Sequence, residues 1–175
     1  MKTIVVYKSK TGFTKQYAEW ISEQLNCTAI PVKEATASAL QPYDLVIYGG
    51  GIMAGTIGAF KKFKELMNSL NGKKLIVFAV GLAGIEDEDA KQMVIKTNFT
   101  EEEKNNVPYF YFQGGLNYDK MGFFSKRILK MASSMTAKKA DKTPEEAKMA
   151  ESMQSSCDYT KIEYIEPLIT YVKGL

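Results

Sequence analysis

The chain has 175 residues, 45% of them apolar and 25% charged, with a net charge of +3, two cysteines and no histidine. That length suits one domain with a full core, here taken as residues 1–175, and the apolar share argues against general disorder. The missing histidine excludes Ser-His and Cys-His nucleophilic catalysis and most zinc sites, and a charge of +3 is too small to imply nucleic acid.

The opening stretch MKTIVVYKSK has one lysine ahead of a short apolar run, too little for a secretory signal, and no apolar run reaches the roughly 18 residues of a membrane span. A cytoplasmic protein is expected. Short, nearly continuous apolar runs at 3–7, 27–31, 45–48, 75–80 and 109–112 read as parallel strands buried on both faces. Between them, 13–25, 59–70 and 87–96 have helical spacing. Tyr17, Trp20, Ile21 and Leu25 form one apolar stripe, interrupted at Gln24, and Phe60, Phe63, Met67 and Leu70 form another. This alternation predicts a doubly wound α/β sheet. The aromatic residues of 109–112 and Trp20 read as core.

Past the fifth strand the pattern changes. Residues 118–135 read as a basic amphipathic helix, with Met121, Phe124, Ile128, Leu129 and Met131 on one side. Thr143 and Pro144 start a second helix, and 163–172 forms a last one, begun or kinked by Pro167. Two readings of the basic helix stand. One is a solvated lysine face over a stripe docked on the sheet; the other is an interfacial helix drawn to anionic lipid or an acidic partner. Cys27 and Cys157 match no metal spacing and read as reduced bystanders, so no metal is expected.

Four strand-end loops are rich in small residues: SKTGFT (9–14), GGGIMAGTIG (49–58), GLAG (81–84) and QGGLNY (113–118). In an open α/β sheet such loops converge on one cleft. The first places Ser9, Thr11 and Thr14 around Gly12 ahead of a helix N-terminus, which suits an anion. It lacks the spacing of a triphosphate-binding loop. The Gly49, Gly51, Ala54 match to a dinucleotide fingerprint has no acid after the next strand, where Val80 and Gly81 stand instead. A phosphate monoester with a flat attached group is what remains.

These residues resemble the flavodoxins, whose S/T-x-T-G-x-T loop SKTGFT matches. The stretches YDLVIYGGGIMAGTIGAFKKF and QGGLNYDKMGFFSKRILKMAS resemble the bacterial flavodoxin-like, menaquinone-dependent protoporphyrinogen oxidases. The resemblance implies a five-stranded parallel sheet of order 2-1-3-4-5 with helices on both faces and FMN as cofactor. It implies that Ser9, Lys10, Thr11, Gly12, Phe13 and Thr14 hold the phosphate. Gly50, Gly51, Ile52, Met53 and Ala54 would border the N5 edge of the ring, and Gly81, Leu82 and Ala83 would offer amides to its pyrimidine end. Gly115 and Tyr118 would close the fourth side. No flanking loop supplies the usual stacking aromatic, so aliphatic side chains pack the ring, or Tyr118 or Phe123 reaches over it. No side chain is assigned as catalytic. The implied partners are a redox protein or a quinone- or porphyrinogen-like molecule, with peripheral membrane contact through 120–135. An electron carrier is the alternative; carriers of this fold tend to be acidic, and the pI near 8.7 counts against it.

Overall fold

The computed structural model describes residues 1–118, 120–122, 126–127, 130–131, 134 and 155–175. Its strands are β1 (Thr3–Lys8), β2 (Thr28–Pro31), β3 (Leu45–Met53), β4 (Thr56–Ile57), β5 (Lys74–Gly81), β6 (Tyr109–Gln113), β7 (Gly115–Leu116) and β8 (Cys157–Asp158). β1, β2, β3, β5 and β6 are mutually parallel in the order β2-β1-β3-β5-β6. That is the expected 2-1-3-4-5 arrangement of five main strands. β4 is an added arm, antiparallel to the end of β3, and β7 with β8 forms a separate antiparallel ribbon.

The strands bury both faces because their side chains alternate between two cores. Ile4 and Val6 of β1, Val46 and Tyr48 of β3, and Val77 and Ala79 of β5 face one core. Val5, Leu45, Ile47, Ile76, Phe78 and Val80 face the other. The helices are α1 (Phe13–Gln24), α2 (Ala37–Leu40), α3 (Phe60–Asn68), α4 (Glu88–Asn98), α5 (Glu101–Asn106) and α6 (Glu166–Lys173). The first core is covered by Phe60, Phe63 and Met67 of α3 and Val94 of α4; the second by Tyr17, Ala18 and Ile21 of α1 and Leu168, Ile169 and Val172 of α6. Trp20 is half-buried and packs edge-on against Tyr17.

Three expectations change. The strand expected to stop at Tyr48 runs on through Gly49, Gly50 and Gly51 to Met53. These glycines serve close packing, not turning. A Cβ on Gly49 would stand 2.0 Å from the Phe78 ring, and one on Gly50 2.4 Å from Ile57. The last helix begins later than 163: a 3-10 turn (Ile162–Ile165) precedes α6, and Pro167 lies in its first turn. There the missing N–H of proline costs no helical bond. α5 was not anticipated, although Thr100 and Glu103 form a capping box around its start. Of the basic segment, residues 126, 127, 130, 131 and 134 are helical. Its remainder, and the helix expected from Thr143, lie outside the described residues.

Glu103 ties α3 to the α4–α5 junction. One carboxylate oxygen accepts from Lys64 Nζ (2.7 Å) and from the Thr100 N–H (2.8 Å), while Lys64 also donates to the Asn98 carbonyl (2.9 Å). Burial pushes the Glu103 carboxyl up, but the bonds from Lys64 and Thr100 outweigh it and hold the group below its ordinary value of 4.5. A depressed carboxyl contributes stability that is present above the unfolded pKa and is lost as pH falls through the folded one. Glu103→Gln should therefore cost about 1–3 kcal/mol in urea unfolding at neutral pH, with variant and wild type converging in acid. A constant difference across the pH range would remove charge from the explanation.

Candidate cofactor site

The C-terminal ends of β1, β3, β5 and β6 open on one cleft of about 290 Å³. Its first wall is the β1–α1 loop. The Ser9 hydroxyl oxygen accepts from the Gly12 N–H (3.1 Å), closing a tight loop in which Gly12 takes φ 113°, a conformation that strains any residue with a Cβ. α1 starts with no side-chain cap and no acid in its first turn. Its first internal bond is from the Gln16 N–H to the Gly12 carbonyl (3.0 Å), so the N–H groups of Phe13, Thr14 and Lys15 have no acceptor within the helix. Thr14 is only 3% exposed, and its hydroxyl oxygen lies 3.4 Å from where a Cβ on Gly51 would stand.

A second helix start faces the same cleft. α3 is preceded by Ala59 at φ 58°, again with no side-chain cap and no acid in the first turn, and Gly58 and Ala59 line the cavity. Two uncapped N-termini therefore present positive dipole ends to one space.

The second loop is a hairpin. Ile52 pairs with Ile57 and Met53 with Thr56, and the turn is Ala54–Gly55, with φ 48° and 76°. Positive φ at both central residues matches the twist of the flanking strands. Gly51, Ile52 and Met53 face the cleft, and Met53 is 41% exposed. The third loop is held from behind by β6. The Gly81 carbonyl accepts from the Gly114 N–H (2.7 Å), Leu82 from Gln113 Nε2 (3.4 Å) and Ala83 from the Tyr111 hydroxyl (2.8 Å). These three carbonyl bonds fix the loop against the end of the sheet. The fourth loop is partly the β7–β8 ribbon, where a Cβ on Gly115 would stand 2.1 Å from the Cys157 carbonyl oxygen.

Lys10, Thr11, Phe13, Thr14, Gly51, Ile52, Met53, Gly81, Leu82 and Gly115 thus line one cavity. Ser9, Gly12, Gly50, Ala54, Ala83 and Tyr118 stand behind the lining. Gly50 packs under Ile57 and Ala54 turns the hairpin. Tyr118 donates its N–H to Ser156 Oγ (2.9 Å) and carries Lys126 over its ring (5.7 Å). Phe123 lies outside the described residues. The apolar lining comes from Ile52, Met53, Ala59, Val80, Leu82, Leu116, Met121 and one aromatic, Phe13.

Sequence reasoning missed Lys8, the Gly58–Ala59 helix start, Val80, Leu116, Met121 and Gly122. Lys8 is the last residue of β1, directly before the loop that carries Lys10. With Lys8, Lys10 and Lys120 in the lining, and no Asp or Glu among the described residues there, the cleft is a donor-rich, cationic seat for an anion with an apolar body.

A family model described as a flavodoxin domain matches residues 4–143. A Leishmania major protein named protoporphyrinogen IX dehydrogenase (quinone) is 23% identical over 155 residues, covering 82% of this chain and 67% of the relative. Among solved structures, the flavodoxin WrbA-like protein from Agrobacterium tumefaciens aligns with a TM-score of 0.50 at 18% identity, over 68% of this chain and 87% of the other. Oxidised flavodoxin 1 from Bacillus cereus gives 0.48 at 16%, over 80% and 100%. The cleft at the carboxyl edge of the sheet and a family match across most of the length agree: the chain belongs to the flavodoxin domain family.

Proposed function

We propose that this chain is an FMN-dependent oxidoreductase that takes electrons from a porphyrinogen-like donor and gives them to a quinone. The observation that carries this reading is the cleft itself, in which lysines, free helix amides and apolar side chains meet with no carboxylate among the described residues. The quinone-linked name of the Leishmania major relative supports the choice of substrate class.

The residues present fit FMN. The α1 amides, Thr11 and Thr14 offer donors to a phosphate, and the missing Cβ of Gly51 leaves room beside Thr14. The Gly51–Ile52–Met53 arm and the Gly81–Leu82–Ala83 loop would hold opposite edges of the ring. Bound FMN supplies the redox chemistry. The chain's own residues bind, orient and exclude water: the lining has no described carboxylate and the sequence has no histidine to move a proton. Lys8 and Lys120 attract the acidic groups of a donor whose apolar body rests on Met53, Leu116 and Met121. Per turnover, two electrons and two protons leave the donor and one quinone becomes a quinol.

Denaturing the purified protein should release FMN and not FAD. Thr11→Ala with Thr14→Ala should weaken FMN binding by at least tenfold, since a hydrogen bond to a charged group contributes about 1.5–3 kcal/mol. Preference for FAD, or binding of neither flavin, overturns the cofactor.

Porphyrinogen oxidation by the holoprotein with a quinone acceptor tests the reaction. Lys8→Gln with Lys120→Gln should raise KM for the acidic donor several-fold while FMN stays bound. No turnover, together with a strongly negative flavin potential, would make the chain an electron carrier.

The basic segment is the part suited to an anionic membrane surface. Lys120, Arg127 and Lys130 are exposed, and no helix among the described residues is long and apolar enough to cross a membrane. Replacing Lys126, Arg127 and Lys130 with Gln should weaken binding to anionic vesicles, at about 1 kcal/mol per basic residue, without loss of FMN. Equal binding by both proteins across a salt series would leave these lysines a solvated face only.

A further inference from the structure

The hairpin that carries Ile52 and Met53 into the cleft is only two residue pairs long, and such a ribbon is marginal without support. Its inner edge is tied to β3, with the Gly58 N–H donating to the Gly51 carbonyl (3.0 Å). Its outer edge has no strand beside it among the described residues. There the side chain of Asn98, at the C-terminus of α4, takes the place of one. Its Oδ1 accepts from the Ile57 N–H (2.9 Å), and its Nδ2 donates to the Gly55 carbonyl (2.7 Å) and back to the Val94 carbonyl of its own helix (2.7 Å). One primary amide thus pairs with the C=O of residue 55 and the N–H of residue 57, the two groups a neighbouring strand would engage.

We propose that Asn98 is the positioning residue that sets where the Gly51–Met53 arm stands against the flavin, and so how strongly reduced FMN is held relative to oxidised FMN. The inference rests on the FMN reading. Asn98 does not line the cleft; it acts through the hairpin. The bonds of Asn98 also span two elements, because the Val94 bond locks the amide to α4 while the other two reach the hairpin. The hairpin is therefore fixed to a packed helix instead of hanging from β3 alone. Ala54 occupies the left-handed region, which favours glycine, so the turn residue itself adds little to the hairpin's stability.

The test uses Asn98→Ala in the reconstituted holoprotein, with Asn98→Asp as a second variant. The aspartate keeps the shape and the acceptor for Ile57 but loses both donors. Redox titration, visible circular dichroism of the flavin, and affinities for FMN and riboflavin are compared with wild type, alongside thermal unfolding of the apoprotein. The expected result is at least a tenfold change in the ratio of affinities for reduced and oxidised FMN, about 30 mV for a two-electron couple, with an altered flavin dichroism. The preference for FMN over riboflavin should stay as in wild type, because the phosphate loop is untouched. A variant that only unfolds earlier, with ratio and dichroism unchanged, overturns the proposal and leaves Asn98 a structural residue. If Asn98→Ala does not fold, the same readings on Asn98→Asp decide it. A wild type that binds no FMN overturns the cofactor reading and this inference together; a wild type that binds FMN beside an unchanged variant overturns this inference alone.

Discussion

The site depends on the passage of β3 between two buried side chains. At Gly49 the strand runs against the Phe78 ring, and at Gly50 it runs under Ile57; in neither place is there room for a Cβ. Because the glycines keep the strand extended through this gap, β3 emerges on the carboxyl side with three residues still in strand conformation. The period-2 rule then fixes which way each one points. A turn at the glycines would leave no β4 arm, and Ile52 and Met53 would not reach the cleft. The same close approach explains why the second loop is a hairpin tied to α4 and not a free glycine loop.

Charge is arranged around that backbone in an uncommon way for an anion seat. One phosphate needs only the α1 amides and nearby hydroxyls, yet the cleft adds a second uncapped helix start at α3 and the lysines 8, 10 and 120. Each helix start is worth a few tenths to about 1 kcal/mol toward an anion; of the lysines, Lys8 is half-buried, while Lys10 and Lys120 are exposed and more strongly screened.

Much of the architecture was legible in the sequence. Runs such as TIVVY and LIVFAV read as strands buried on both faces and are so, and SKTGFT, with hydroxyls crowded around one glycine before a helix, marked the loop that forms the first wall of the cleft. The errors share a physical cause. GGG reads as a strand-end loop because glycine permits positive φ and close approach to a ligand, but it equally permits close packing inside a strand, and only the identity of the opposing side chains, Phe78 and Ile57, separates these. The helix start at Gly58–Ala59 and the lysine at 8 escaped because neither has a motif; each matters through where the chain brings it. Asn98 was invisible for the same reason, being one polar residue at the end of an ordinary helix.

Three tyrosines complete the framework, Tyr17 and Tyr48 buried and Tyr111 half-buried. Tyr17 donates to the Gln113 carbonyl (2.6 Å), Tyr48 to Gly58 (2.5 Å) and Tyr111 to Ala83 (2.8 Å), so a tyrosine hydroxyl anchors the loop after β6, the start of α3 and the loop after β5. Burial raises the pKa of all three, which keeps them protonated and able to donate. Tyr17 also accepts the Lys161 N–H (3.3 Å), linking α1 to the chain returning toward α6. The Tyr17 and Tyr48 rings pack as core, with Tyr48 stacked on Phe63 at 4.3 Å, for example, while each hydroxyl reaches the edge where the loops begin. Tyr109, whose buried hydroxyl has no partner among the described residues, shows the contrast: it fills space and holds no loop. The cleft is therefore braced from below by tyrosine hydroxyls, those of Tyr48 and Tyr17 rooted in the two cores, and is held from the side at the β4 hairpin by an asparagine. Loops fixed in this way need little reordering when a ligand enters, and little of the binding energy is lost to ordering them.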